Sequence, residues 1–170
     1  MESTDDLKKY FDSKEYITQI IGIDKEVEKP AINEGEISKL ISLLTDPANK
    51  AFKEETLLTL KKEKAGDGLL LAIASPKAKT NKHMLVAACW ESEINYSKYL
   101  SFFIILALDN DDLVSLEAIT VISTMEGPFN KDAVSEGIKK VKVAMENTPN
   151  ATRTVLLNDL VYTLEGFIEK

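Results

Sequence analysis

The chain has 170 residues, 44% of them hydrophobic and 29% charged, which supports a packed core without staples and excludes a largely disordered chain. Its single cysteine, Cys89, excludes an internal disulfide scaffold. The formal net charge is −7 and Arg153 is the only arginine among 21 basic residues, which argues against nucleic-acid binding, because arginine is the fork that grips phosphates and base edges.

The polar, acidic start from Met1 to Tyr10 does not read as a signal peptide. A first helical segment is expected over about Thr4 to Ile21, with Thr4 as N-cap and Gly22 as stop. The charged stretch Asp24 to Glu34, interrupted by Pro30, reads as a linker. Apolar residues then recur at three and four, the spacing of helix faces. Four helix pairs are expected: about Glu36–Leu44 with Asn49–Lys64, Gly68–Ala74 with Asn81–Glu91, Tyr96–Leu108 with Asp112–Met125, and Asp132–Glu146 with Ala151–Ile168. Gly66, Gly68 and Gly127-Pro128 punctuate the gaps between pairs. The turns inside the pairs begin at Asp46, Ser75, Asp109 and Asn147, spaced by 29, 34 and 38 residues. Each is a residue whose short side chain accepts backbone N–H bonds, and a near-constant period of two helices marks a helical repeat. The longest apolar run, Phe102 to Leu108, has seven residues, against about 20 for a membrane span. A cytoplasmic protein without a membrane partner is expected.

The segments Ser75–Ala88 and Asp109–Ile122 carry a family resemblance. Each has an Asp-Pro-like turn, a small or β-branched residue five positions on, and then small and apolar residues where a helix packs. Aligned, Thr80, Met84, Ala87 and Ala88 match Val114, Ala118, Val121 and Ile122, one stripe at i, i+4, i+7 and i+8. In this the chain resembles HEAT-type helical repeats. The first pair fits with a one-residue slip that puts Phe52 first, and the fourth has a stripe of different phase: Leu157, Leu160, Val161, Leu164 and Ile168. The arginine that such repeats often carry early in the second helix is replaced by Asn81 and Ser115. The resemblance implies an all-α fold, a HEAT-like or armadillo-like superhelix of about four antiparallel pairs. One domain is expected over residues 1–170, with a helical cap over 1–23, a linker over 24–34 and the pairs over 35–170. It also implies a scaffold that presents a surface to a partner protein, the second helices lining its inner face.

The residues that could carry chemistry are few. His83 is the only histidine, and Cys89 lies six residues on, on another side of the same helix. Neither a nucleophile pair nor a zinc site is assembled from them. Asp109-Asn110-Asp111-Asp112 departs from a calcium loop at Leu113, Val114 and Thr120. Gly66-Asp67-Gly68 lacks the third glycine of a dinucleotide fingerprint, where Leu71 stands. No catalytic residue, metal or cofactor is expected.

One binding surface is a candidate. His83, Val86 and Trp90 form a second apolar stripe at i, i+3 and i+7, whereas Glu117, Thr120 and Thr124 occupy the corresponding positions of the third pair. Tyr96 and Tyr99 follow, and aromatics of this kind are enriched in binding hot spots. The stripe either packs against a neighbouring helix or meets a partner. Leu100, Phe103, Ile104 and Ala107 are expected in the core, with Phe102 on either side. The leading functional expectation is a non-enzymatic scaffold or adaptor. The alternatives are an acidic inhibitor or immunity-type protein that blocks a basic partner, and a HEAT-like lyase acting on a bound small molecule.

Overall fold

The computed structural model describes residues 34–63, 65–109 and 111–169. The expected N-terminal helical segment and nearly all of the linker lie outside the described residues. Among the described residues there is no strand. The described residues form eight α-helices in succession: α1 (Glu34–Thr45), α2 (Lys53–Lys62), α3 (Gly66–Ala74), α4 (Lys82–Glu91), α5 (Leu100–Ala107), α6 (Asp112–Thr124), α7 (Lys131–Glu146) and α8 (Ala151–Ile168). Short 3-10 helices precede α2 (Pro47–Phe52), α4 (Pro76–Ala78) and α5 (Ser97–Tyr99). The chain divides into two compact units between Ile94 and Asn95.

Side-chain caps set where these helices begin. Asp46 accepts a hydrogen bond from the Ala48 N–H and Ser75 from the Lys77 N–H, each starting a 3-10 turn with proline in its first position. Asp111, Asn130 and Asn150 cap α6, α7 and α8, each accepting from two backbone N–H groups. Asp109 plays the turn-forming part expected of it, whereas Asn147 does not. Asp109 holds the turn by accepting from the Asp111 N–H, and Asn147 closes α7 by donating to the Val143 carbonyl. Gly66 and Gly68 are not punctuation: they lie buried in the first turn of α3.

In the first unit, α3 pairs with α4 and α1 packs on both. Leu44, Leu69, Leu70, Ile73, Leu85 and Val86 fill this core. The Lys77 ammonium donates to Ser38 Oγ at 2.8 Å, tying the α3–α4 turn to α1. The buried stripe of α4 is Leu85, Ala88 and Cys89, whereas Thr80 is exposed and Met84 and Ala87 are half-buried. The aligned stripe is thus one residue out of phase here. The 3-10 turn before α4 advances three residues per turn instead of 3.6, which rotates the helix after it. Phe52, expected to lead the apolar face of the first pair, ends its 3-10 turn 53% exposed.

In the second unit, α5 pairs with α6 and α7 with α8, while α7 also packs on α5 and α8 on α6. Phe103, Ile104, Ile122, Leu157, Leu160 and Leu164 form the core, and Val114, Ala118, Val121 and Ile122 are buried together as the alignment expects. Gly137 lets α7 approach α5, since a Cβ there would meet Ile104 Cδ1. Ile168, expected in the α8 stripe, is 40% exposed; Phe167 takes the inward place and stacks on Phe129 with ring centroids 3.9 Å apart. Arg153 reaches from the first turn of α8 to the α5–α6 turn. Its guanidinium pairs with the Asp112 carboxylate at 3.2 Å and donates to the Asp109 carbonyl at 2.5 Å. Asn95 supplies a second clamp: its side-chain amide donates to the Glu126 carbonyl and accepts from the Glu126 N–H.

Candidate functional site

The helical phase of α4 divides the expected stripe. Val86 is fully buried in the first unit, His83 is half-buried and Trp90 is 37% exposed. The stripe is therefore core at its centre and surface only at its edge. Beside it, two lysine–glutamate pairs connect α2 to the end of α4. Lys53 meets Glu91 at 2.7 Å, with both side chains about a quarter exposed, and Lys61 meets Glu93 in the open. The hydrogen bond from Lys61, and then its charge, hold the Glu93 carboxyl below the ordinary carboxylate range. Glu93 itself sits at φ 54°, the left-handed backbone that commonly closes a helix, with its N–H donating to the Trp90 carbonyl.

Tyr96 and Tyr99 lie in the second unit, 1% and 2% exposed. Tyr96 packs edge-on against Phe103 with centroids 5.4 Å apart, and Phe103 in turn packs edge-on against Phe102 at 5.3 Å. The Lys98 ammonium stands 4.7 Å from the centre of the Tyr99 ring. These geometries are those of favourable aromatic and cation–π packing. Both tyrosines contribute to the core, as do Leu100, Phe102, Phe103, Ile104 and Ala107.

A different surface stands out in the second unit. The inner side of α8 is packed through Leu157, Leu160, Val161, Leu164 and Phe167. Its outer side carries Val155, 59% exposed, and Tyr162, 81% exposed. Seven residues apart on a 3.6-residue helix, they stand nearly in line. Asp159 and Gly166 fall on the same line, one turn before and one turn after Tyr162. A Cβ at Gly166 would meet nothing within 4 Å. Glu165 and Glu169 border the line, both exposed, and Glu165 is met by Lys142 of α7 at 3.3 Å. Sequence reasoning passed over this face because Val155 and Tyr162 are interleaved with the inward residues, so α8 reads as apolar on several sides. The one local signal is Gly166, a glycine in the last turn of an otherwise strong helical run.

Among the described residues, no group of three His, Cys, Asp or Glu side chains is placed to hold a metal ion, and no helix is long and apolar enough to cross a membrane. In comparisons with known proteins, no family model matches the chain, and no curated protein or solved structure matches it significantly.

Proposed function

We propose that this protein is a non-enzymatic binding module of the HEAT-like kind, built from helix hairpins and recognising a partner protein. One observation carries the reading: α8 packs its inner side completely yet presents Tyr162, 81% exposed, in line with Val155 on its outer side. A large aromatic side chain held on a rigid helix adds contact area with little loss of side-chain freedom, which suits a protein interface. The HEAT-like reading draws support from Arg153. In the last pair an arginine does stand early in the second helix, and it clamps the turn of the preceding pair. The edge of α4 with His83 and Trp90 offers a partner a smaller foothold, while Val86, Tyr96 and Tyr99 serve the cores.

The acidic-inhibitor reading shares the α8 surface and is favoured by its bordering carboxylates and by the net charge of −7. The test uses the full chain as bait at low and high salt, and then rebinding of each retained protein in purified form. At least one protein is expected to rebind. If none does, the binding-module reading fails; binding that abolishes the partner's activity and weakens with salt selects the inhibitor form.

A further inference from the structure

We propose that the outer face of α8 docks a helical segment of another protein whose contacting edge carries lysine or arginine. The inference rests on the protein-binding reading and specifies where and what the protein binds. Three features of the face point to this occupant.

The first is shape. Glycine is a poorer helix former than alanine, in the last turn where Gly166 lies as well as further in. At Gly137 the fold explains the glycine, because a Cβ would run into Ile104. At Gly166 the space beside the backbone is open, so packing within the chain does not call for glycine there. A bare backbone next to the exposed Tyr162 leaves a notch in which a second helix can approach closely.

The second is charge. Tyr162 is flanked three residues before by Asp159 and three residues after by Glu165, both exposed, with Glu169 beyond. Residues three apart on a helix are neighbours. A cation placed over the Tyr162 ring would therefore meet an aromatic face and carboxylates together. Arg153, the only cation on α8 among its described residues, is engaged by Asp112 and the Asp109 carbonyl, and Lys142 of α7 meets Glu165, so Asp159 is the carboxylate an incoming cation would pair with.

The third weighs against a two-fold pairing of this face with itself. A two-fold contact through this face would set Asp159, Glu165 and Glu169 against the same carboxylates of the other copy. Like charges across an interface oppose association, so the complement is a basic segment from a different protein. A helix suits it because the line Val155–Asp159–Tyr162–Gly166 runs straight for three turns.

The experiment is an amide NMR titration of the full isotopically labelled chain with a synthetic amphipathic helix bearing lysine along one edge. The control is the same peptide with glutamate at each lysine. The lysine peptide is expected to shift the amides around Val155, Asp159, Tyr162 and Gly166, with affinity falling as salt rises. Tyr162→Ala and Asp159→Lys should each weaken it about tenfold. Gly166→Leu fills open space, so it should keep the fold while blocking the approach. The inference is overturned if the lysine peptide leaves α8 unshifted, if the glutamate peptide binds equally, or if Tyr162→Ala and Gly166→Leu leave the affinity unchanged. The two readings separate in the rebinding assay. A purified partner that binds wild type and Tyr162→Ala alike preserves the binding-module reading and removes the α8 site; a partner lost with Tyr162→Ala supports both.

Discussion

Two helices, α2 and α8, both come after a short polar cap. Asp46 caps the turn that leads to α2 and Asn150 caps α8. Beyond the cap the two helices differ sharply. From Lys53 to Lys62, α2 carries five charged residues and buries only Leu60. From Ala151 to Ile168, α8 buries five large side chains. The cap decides where a helix starts, whereas the apolar spacing behind it decides how firmly the helix is held. The ties of α2 to the end of α4 include two lysine–glutamate pairs, which contribute little in water. The attachment of α8 is apolar burial, which contributes far more.

The sharpest way to break this contrast is to truncate one leucine in each helix. Leu160 is fully buried under α8, whereas Leu60 is 9% exposed on α2. Leu160→Ala should cost about 3–5 kcal/mol, near the upper part of the range for core leucines, and Leu60→Ala about 2 kcal/mol or less. Urea unfolding, with the midpoint and slope measured for each variant, reads both values. Equal losses would show that α2 is anchored as firmly as α8 and would end the comparison.

The two helical glycines sharpen the contrast within the second unit. Gly137→Ala gains helix propensity, but the new Cβ forces Ile104 Cδ1 aside in a closed core. Overpacking costs about 1–3 kcal/mol against a gain of about 1 kcal/mol, so the net result should be a loss of about 1 kcal/mol. Gly166→Ala meets open space in the last turn of α8 and should stabilise by about 0.5 kcal/mol. Thermal midpoints moving in opposite directions are the expected result. A loss at both positions would mean that Gly166 serves the fold, and the notch beside Tyr162 would lose its argument.

How much of this was legible beforehand depends on which physical signal each element carries. The pairs α3–α4, α5–α6 and α7–α8 follow from turn residues and three-four apolar spacing, and the bounds of α6, α7 and α8 depart from expectation by at most one residue. The phase of α4 was not legible, because proline-led 3-10 turns rotate a helix without altering its composition. That rotation puts Val86 inside and leaves Trp90 at the edge. Tyr96 and Tyr99 were candidates for a surface on their chemistry alone, but both are buried, and Tyr96 packs edge-on against Phe103 only seven residues on. Likewise Phe167, not Ile168, turns inward because Phe129 comes round to stack on it. The outer line of α8 is visible only once the inner line is known, since both are written in the same kinds of residue.

The smallest expected effect lies in the exposed ion pairs, and its sign is definite. Lys61 holds the Glu93 carboxyl below its ordinary value of 4.5, first through its hydrogen bond and then through its charge. Lys140 does the same for Glu136 one turn away on α7. A carboxyl whose folded value is depressed contributes stability above its unfolded value and loses it as pH falls through the folded one. Wild type should therefore be slightly more stable than Glu93→Gln and than Glu136→Gln at neutral pH. Each difference should shrink below about pH 4.5 and vanish once both carboxyls are protonated. Urea midpoints across this range at low salt measure it, and added salt should erase it at neutral pH. The Glu93 variant also probes the strap-like attachment of α2. If its pH dependence matches that of Glu136→Gln, the pair beside α4 acts as an ordinary surface pair. A markedly larger dependence would mean that Lys61–Glu93 holds α2 in place where the apolar contacts of that helix do not.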